Sequence, residues 1–215
     1  MAYLFNGTNQ YLNVLTGDLF ADLPITMACW FKTSSATTNQ GILNICDNAT
    51  GGQGIRLNAQ GAVAGDPIRI LAVGTATASA DSTTGYTANT WTHACGVFAS
   101  STSRTVYING GSSASSTVSS TATGENRLFV GVTRAASAFS NYLSGDIAEV
   151  GIWNAALTSD EVLSLAKGFS PSLIRPQSLT IYAPMVRELV DFSKNRLTIT
   201  NNNTATVSTH TRVYL

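Results

Sequence analysis

Several stretches of the chain alternate between apolar and polar or small side chains, which predicts β-strands that present one face to a core. Ile25–Lys32 alternates in this way, and Ile68–Val73 and Trp91–Phe98 have the composition of further strands. Asn6-Gly7 and Asn109-Gly110-Gly111 stand beside apolar runs and predict the tight turns of hairpins. The pattern therefore indicates an antiparallel, all-β arrangement.

The stretch Leu143–Trp153 predicts a strand that is largely apolar on both faces, as in a strand inside a sandwich. Strict alternation predicts two sets of side chains: Ile147, Glu149, Gly151 and Trp153 on one face, and Asp146, Ala148, Val150 and Ile152 on the other. One short helix is predicted near 158–167. Thr158 and Glu161 have the spacing of a capping box at its start, and Gly168 supplies a left-handed stop. We expect this helix to lie across the sandwich.

Two segments of small and polar residues are predicted to lie at the edges of the structure. Thr75–Tyr86 is expected to be a long loop or an edge ribbon. Ser112–Gly124 is a low-complexity Ser/Thr segment with room for an edge strand.

The tail contains three more strand-like runs: Leu179–Met185, which is interrupted at Pro184, Leu197–Thr200 and Thr204–Ser208. We therefore expect one domain over residues 1–215, a two-sheet antiparallel β-sandwich that strands within 179–215 complete.

Charged residues make up only 11% of the chain, and twelve basic and twelve acidic groups cancel. We expect no attraction to nucleic acid or to an anionic membrane. So sparse a charge protects a surface weakly against self-association, which favours a protein that works within an assembly, although surface hydroxyls and amides could also keep a monomer soluble. No signal peptide or membrane span is recognised, so we expect the chain to be made in the host cytoplasm without a signal peptide. Cys29, Cys46 and Cys95 are expected to be buried free thiols.

Six blocks of the sequence occur in the order found in laminin-G-like modules of the concanavalin A-like lectin and glucanase superfamily. They are Phe5–Leu12, Ile25–Lys32, Trp91–His93, Val106–Gly110, Leu128–Gly131 and the run from Leu143 to Leu165. The last block resembles the family's G-x-I-D-E-V-x-I-[WY]-N-x-A-L-[ST]-x-x-E-[IV] signature, although Ala148 stands where the family has an aspartate. The resemblance implies a concanavalin A-like jelly roll.

The tail departs from the usual order of this family. Leu189–Thr200 resembles a D-x-S-x-N-x-x-x-x-T block that many of these modules carry near their amino terminus, and here it comes last. Because the termini of a two-sheet sandwich can be neighbours, moving a strand from the front to the back can preserve the fold. Stand-alone modules with this layout resemble proteins in the structural gene sets of tailed bacteriophages.

The catalytic pattern of the superfamily is absent from the sequence. Its glucanase branch cleaves glycosidic bonds with carboxylates on one strand, usually in an E-x-D-x-x-E string, and no such string occurs here. Asp146 and Glu149 are three residues apart, so alternation turns them to opposite faces. His93 and His210 lack a serine or cysteine in a nucleophile context, and His93 is expected to be structural. We expect no enzyme and assign no catalytic, cofactor-binding or metal-binding residue.

Calcium and sugar sites are left open. Many relatives hold Ca²⁺ through loop oxygens, but the acidic residues available here are isolated, so a structural Ca²⁺ stays unassigned. These residues are Asp47 with Asn48, Asp66, Asp81, and Asp18 with Asp22. The aromatic and amide candidates for a sugar site are Tyr86, Trp91, Phe139, Tyr142, Asn126 and Asn141. Core packing is the expected use of Trp30, Trp91 and Trp153, which all fall within predicted strands.

Two functional hypotheses follow. The first is a non-catalytic virion structural protein, a capsid decoration or other surface component of a tailed bacteriophage. It implies location in the virion, contact with a major shell protein and a homo-oligomer, with a trimer favoured. The alternative is a soluble glycan-binding lectin module, with or without calcium, that uses Thr75–Tyr86 and Ser112–Gly124 as binding loops for a cell-surface glycan. A degenerate glycosidase is a weaker third hypothesis.

Overall fold

A computed structural model describes residues 1–20, 22–49, 52–135 and 138–210. Most of these residues form two antiparallel sheets that face each other across a common core. The eight-stranded sheet has the spatial order β10 (Gly111–Ser116), β9 (Ser103–Ile108), β8 (Thr92–Ser100), β3 (Ile25–Thr33), β14 (Ser144–Trp153), β1 (Ala2–Asn6) and β17 (Thr206–Ser208), and β15 (Leu179–Ala183) pairs with the second half of β14. The predicted all-β sandwich is thus confirmed.

The other sheet has seven strands. Their spatial order is β16 (Ile199–Asn202), β2 (Tyr11–Leu15), β11 (Arg127–Val130), β4 (Asn39–Cys46), β5 (Gly54–Gln60), β6 (Pro67–Val73) and β7 (Thr77–Gly85). A small hairpin of β12 (Thr133–Ala135) and β13 (Ala138–Ser140) and the helix α1 (Ser159–Ala166) lie outside the two sheets. Short 3-10 turns occupy Gly17–Phe20 and Pro171–Leu173. The helices of the described residues are all too short or too polar to cross a membrane.

Alternation along each strand fills the space between the sheets with apolar side chains, because every second residue points inward. Phe5, Leu12, Phe31, Leu57 and Ile70 belong to this main core and are almost fully buried. A second apolar cluster lies on the outer face of the eight-stranded sheet, between that sheet and α1. Its members include Trp153, Val162, Leu165, Leu179 and Tyr182.

A β-bulge interrupts β14 and corrects the predicted faces of this strand. The register with β3 shifts between Ala148 and Gly151, and Glu149 adopts a left-handed conformation with φ of 52°. An extra residue in one strand reverses the alternation beyond it. Ile147 therefore shares the core face with Val150 and Ile152, whereas Trp153 packs on the outer face. The prediction that Ile147, Glu149, Gly151 and Trp153 share one face is wrong.

The helix α1 forms where the capping box predicted it. The Glu161 N–H donates to the Thr158 hydroxyl at 3.3 Å, and the Thr158 N–H donates to the Glu161 carboxylate at 2.7 Å. Gly168 follows with φ of 93°, which a glycine tolerates better than other residues. Hydrogen bonds to Arg175 and Thr158 hold the pKa of Glu161 below its usual value despite partial burial. The helix lies on the outer face of the eight-stranded sheet.

The two segments of small and polar residues supply edge strands. Within Thr75–Tyr86, β7 forms one edge of the seven-stranded sheet, and within Ser112–Gly124, β10 continues to Ser116 at one edge of the other sheet. Both outcomes match the strand alternative that the sequence left open.

The tail completes both sheets, because β16 pairs with β2 and β17 pairs with β1. The loop between β15 and β16 is organised by the buried Asp191 carboxylate, which accepts the N–H groups of Tyr182, Ser193 and Leu197 and the Ser193 hydroxyl at 2.9 Å each. Residues 211–215 of the predicted tail lie outside the described residues. Cys29, Cys46 and Cys95 are buried free thiols, as predicted.

Candidate functional site

The outer face of the seven-stranded sheet is the broad face that α1 does not cover, since α1 lies against the eight-stranded sheet. One row of side chains crosses this face in register from β2 to β7. The row consists of Asn13, Phe129, Asn44, Arg56, Leu71 and Ser79. Their strand neighbours, such as Leu128 and Leu57, point the other way into the core. Alternation thus places amide, guanidinium and aromatic groups together on this outer face.

The hairpin of β12 and β13 stands over the middle of this face. Its approach is close, because a Cβ at Gly41 of β4 would lie 2.5 Å from the backbone of Val132 and Thr133. The Arg134 N–H donates to Asn44 Oδ1 at 2.8 Å, and Arg134 Nη2 donates to the Asn48 carbonyl at 2.9 Å. Only glycine at position 41 allows this contact, which holds the hairpin in place.

An aromatic cluster lies on one side of the hairpin. The rings of Tyr11 and Phe139 stack with centroids 4.7 Å apart and an interplanar angle of 29°. Phe129 meets Phe139 edge-on at 5.4 Å, and Tyr142 lies 6.4 Å from Tyr11. The Arg134 guanidinium sits 4.9 Å from the Phe139 centroid, in cation–π range. Tyr11, Phe139 and Tyr142 are half-buried, so their rings keep exposed area.

Charged and amide groups lie on the other side of the hairpin, on β5, β6 and β7. Arg69 makes a two-fold ion pair with Asp81, with both N–O distances at 2.6 Å, and both side chains remain about one-third exposed. The hydrogen bond to Asp81 raises the pKa of Arg69. Asn58, the strand partner of Arg69, has a side-chain oxygen that accepts no hydrogen bond from the described residues. Burial lowers the pKa of the neighbouring Arg56, whose Nη2 donates to the Arg134 carbonyl at 3.4 Å.

The structure brings together only two of the aromatic candidates from the sequence, Phe139 and Tyr142. Tyr86 is buried in the core, with its hydroxyl 3.1 Å from the Ser35 carbonyl and burial raising its pKa to about 12. Asn126 accepts the Asn48 N–H at 3.1 Å, and Asn141 is exposed in a left-handed conformation. The sequence reasoning missed Tyr11 and Phe129, although Tyr11 and Asn13 alternate visibly with Leu12 and Val14.

The tryptophans divide between the core and the surface. Trp153 is fully buried, as predicted, and donates to the Ile174 carbonyl at 2.7 Å. Trp30 and Trp91 are only half-buried, so core packing is a wrong prediction for both. They lie on the outer face of the eight-stranded sheet, where the His210 ring contacts Trp91 at a centroid distance of 4.3 Å.

The carboxylates of β14 do not lie as the sequence predicted. The bulge turns Glu149 to the outer face, the face on which Asp146 pairs with Lys32 at 3.0 Å, so the prediction of opposite faces is wrong. Asp146 also accepts the Ser208 hydroxyl. Glu149 is buried beneath α1 and accepts the Tyr182 hydroxyl at 2.7 Å. Both carboxylates are thus engaged by other side chains of the fold, Asp146 in an ion pair and a hydrogen bond and Glu149 in a hydrogen bond.

Neither His93 nor Asp81, one of the calcium candidates, lies in a catalytic or metal site formed by the described residues. His93 is buried against Trp30, with ring centroids 5.5 Å apart, and burial lowers its pKa to about 3, so the ring is neutral. This environment fits the structural role expected of it. Within the described ranges, no three His, Cys, Asp or Glu side chains come together as a metal site. Asp81, one of the proposed calcium donors, is committed to Arg69.

Two facing antiparallel sheets, with a helix on one outer face and a small hairpin on the other, define a jelly-roll sandwich of the lectin type. The sequence model of the family described as the concanavalin A-like lectin/glucanases superfamily matches residues 6–163, and the chain therefore belongs to this family. The resemblance stated from the sequence blocks is confirmed. No curated protein sequence matches the chain.

Solved structures with the same fold come from several sources. A native heptameric SAP-like pentraxin from Limulus polyphemus has a TM-score of 0.65 at 13% identity, with 94% of each chain covered. CBM40 of the Ruminococcus gnavus IT-sialidase, bound to α2,3 sialyllactose, has a TM-score of 0.62 at 12% identity over 77% of this chain and 98% of that chain. Domain 4 of AbnA, a GH43 extracellular arabinanase from Geobacillus stearothermophilus, in complex with arabinotriose, has a TM-score of 0.61 at 23% identity over 77% and 76%. These likenesses show the fold.

Proposed function

We propose that the chain is a non-catalytic glycan-binding module and that its site is the outer face of the seven-stranded sheet around the β12–β13 hairpin. The observation that carries the proposal is the stacked pair of Tyr11 and Phe139 on a sheet face that also bears the partly exposed ion pair of Arg69 and Asp81. An aromatic platform with fixed polar groups on a rigid sheet is the arrangement that a sugar needs.

The chemistry of a sugar fits both halves of the face. The C–H side of a pyranose or furanose ring is apolar and packs on an aromatic ring, whereas its hydroxyls donate and accept hydrogen bonds at once. Charged partners strengthen such bonds, and the Arg69–Asp81 pair offers donors and acceptors side by side. The face is therefore matched to a neutral or weakly charged glycan.

The spacing of the two halves favours an oligosaccharide. Tyr11 lies on β2 and Arg69 on β6, four strand steps apart in the sheet order. At about 4.8 Å per step the two lie roughly 19 Å apart, which exceeds the span of one sugar ring. The hairpin between them, held by the contact of Arg134 with Asn44, divides the face into these two halves.

Two solved structures with the same fold hold bound sugars, which supports this proposal. CBM40 is bound to α2,3 sialyllactose and the arabinanase domain to arabinotriose, and both share the fold of this chain. The non-catalytic part of the proposal rests on the engagement of Asp146 by Lys32 and of Glu149 by Tyr182.

The test is a glycan microarray probed with the labelled full chain, followed by calorimetry with the best-bound glycan and with α2,3 sialyllactose and arabinotriose. Tyr11→Ala and Arg69→Gln should each weaken binding at least tenfold, which corresponds to about 1.4 kcal/mol. Trp91→Ala is a matched control, because Trp91 is a half-buried aromatic residue on the other sheet. Arg175→Gln is the second control, since Arg175 forms a comparable ion pair with Glu161.

Two further arms separate the alternatives. Binding that persists in a chelator shows a site independent of calcium, and its loss in a chelator supports the calcium-dependent form of the hypothesis. Release of sugar from the bound glycan during incubation would contradict the non-catalytic assignment. An array without any bound glycan would contradict the proposal as a whole.

We keep the virion structural role as a second proposal, carried by a different observation. Leu4, Val186, Phe192 and Val207 are each more than two-fifths exposed, on β1, β17 and the loop between β15 and β16. On a chain with only 11% charged residues, a neighbouring subunit or a major shell protein would cover such side chains. Mass spectrometry of density-purified particles from the source culture tests this role and its virion location, and light scattering tests the trimer. A monomer that is absent from the particles would contradict it.

A further inference from the structure

A cavity of about 320 Å³ opens at one end of the sandwich, between the two sheets. Its apolar wall comes from both sheets, with Ile25 and Phe98 on one side and Ile55 and Ala72 on the other. These four side chains belong to the main core, so the cavity reaches into the core. Its volume is in the range of small-molecule sites. The cavity lies between the sheets and is distinct from the outer face that bears the proposed glycan site.

An arginine points into this end of the core. Arg104, Val106 and Ile108 alternate on the inner face of β9, and the two apolar members belong to the main core. Arg104 is 1% exposed, pairs across the sheet with Phe98 and lines the cavity. A strand position that alternation assigns to an apolar side chain is thus filled by a guanidinium.

The charge of this guanidinium has no counter-ion within the described part of the chain. Nη1 donates to the Val118 carbonyl and Nη2 to the Ser101 carbonyl, both at 2.6 Å, whereas Nε has no acceptor. The ion pairs of the described residues do not include Arg104. Burial lowers its pKa, but an arginine keeps its charge in proteins. A buried charge that lacks a counter-ion is costly in a core, even where carbonyl groups accept some of its N–H groups.

A buried acid also lines the cavity. Glu125 is 6% exposed, and among the described residues its Oε2 has no hydrogen-bond partner and it makes no ion pair with Arg104. Burial and the negative charge of Asp47 raise its pKa. Asp22 lies at the exposed mouth. The two acids therefore do not neutralise the guanidinium.

We propose that this cavity is a second binding site, for a small carboxylate with an apolar body. The carboxylate of the ligand lies against Arg104 and supplies the missing counter-ion, and the apolar body fills the space between Phe98, Ile55 and Ala72. Ser100, Ser101, Ser120 and Thr121 line the cavity and offer further hydrogen-bonding groups.

A purely structural role of Arg104 explains less of the geometry. Its bonds to Ser101 and Val118 tie the β8–β9 turn to the segment after β10 and use two of its five N–H donors. Neutral donors would serve that purpose without a buried charge. The tie accounts neither for the absent counter-ion nor for a cavity open to a ligand.

The experiment uses the full chain with hexanoate and phenylacetate as probes, and with hexanamide and phenylacetamide as neutral analogues of the same shape. Saturation-transfer NMR and calorimetry measure binding. We expect at least one carboxylate to bind saturably and its amide to bind at least tenfold more weakly. Equal binding of acid and amide, or no binding of either acid, would overturn the proposal.

Three variants locate the site without relying on one substitution. In Ala72→Leu the larger side chain occupies part of the cavity, so carboxylate binding should weaken at least tenfold. The thermal midpoint of this variant should be no lower than that of the original chain. Arg104→Met removes the charge and should abolish the preference for acid over amide. Glu125→Gln removes a competing negative charge and should strengthen carboxylate binding. Arg69→Gln changes the proposed glycan site and should leave carboxylate binding unchanged. If Ala72→Leu binds the carboxylate as well as the original chain does, the assignment of the cavity is refuted.

Discussion

Glu149 should make the stability of the folded chain depend on pH. Its carboxyl group lies beneath α1, 6% exposed, and accepts the Tyr182 hydroxyl at 2.7 Å. Burial raises its pKa to about 7, and the hydrogen bond from Tyr182 and the charge of the amino terminus oppose this only in part. His93 lines the same site and is neutral above pH 4, because its pKa is about 3.

The size of the effect follows from the two pKa values. The folded value of about 7 lies roughly 2.5 above the ordinary value of 4.5, and each pKa unit corresponds to about 1.36 kcal/mol, so ionisation of Glu149 costs the folded state about 3 kcal/mol. An acid with a raised pKa in the folded state stabilises the fold fully below pH 4.5. That contribution falls as the pH rises and is lost once the pH has passed about 7.

Urea unfolding at intervals from pH 4 to pH 9 measures this effect in the original chain and in Glu149→Gln. Glutamine stays neutral and can still accept the Tyr182 hydroxyl. The free energy of unfolding of the original chain should therefore fall by about 3 kcal/mol relative to the variant between pH 4.5 and pH 8. Glu161→Gln is the matched control, because the pKa of Glu161 is below its ordinary value, and its difference curve should be flat above pH 6.

A difference between the original chain and Glu149→Gln that is constant from pH 4 to pH 9 would refute the reasoning. It would mean that Glu149 is solvated in the folded state, and the packing of α1 over the bulge would then need revision.

Two local predictions accompany this one. Thr158→Ala should lower the free energy of unfolding by about 1 kcal/mol, because it removes the capping box of α1. Thr158→Ser should retain most of the stability of the original chain, because serine can make the same hydrogen bonds. Equal stability of Thr158→Ala and the original chain in urea would contradict this. Asp191→Ala should cost about 3 kcal/mol or more, because the hydrogen bonds of the loop between β15 and β16 lose their acceptor. Hydrogen exchange at Tyr182 and Leu197 should become faster in this variant, and unchanged exchange would contradict the role of Asp191.

Local signals in the sequence predicted local structure well. The capping box of Thr158 and Glu161 spans four residues and depends only on the chain itself. Asn109-Gly110 is similar, since both residues adopt positive φ, at 51° and 77°, as a tight hairpin turn between β9 and β10 requires. Such signals need no distant partner, which is why they place elements correctly.

The bulge at Glu149 could not be predicted from alternation. A two-residue period assigns every side chain to one of two faces and has no place for an extra residue. The error therefore spread to every face assignment along β14 beyond Ala148, including that of Trp153.

The candidate site depends on contacts between residues far apart in the sequence. Tyr11 and Phe139 meet because β2 pairs with β11 and the hairpin folds back over β4, and neither pairing can be inferred from composition. The alternation of Tyr11 with Leu12 marks an outward position without indicating its partner. Arg104 is different, because its alternation with Val106 and Ile108 can be seen in the sequence itself. That alternation places a charged side chain on the inner face of a strand.

The most direct test of the central claim is a crystal structure of the chain with the glycan that binds best on the array. The account predicts a sugar ring packed on the side chains of Tyr11 and Phe139, with hydroxyls bonded to groups of the seven-stranded sheet such as Arg69 and Asp81. Sugar density on the eight-stranded sheet or in the cavity of Arg104, with the Tyr11 face bare, would contradict it.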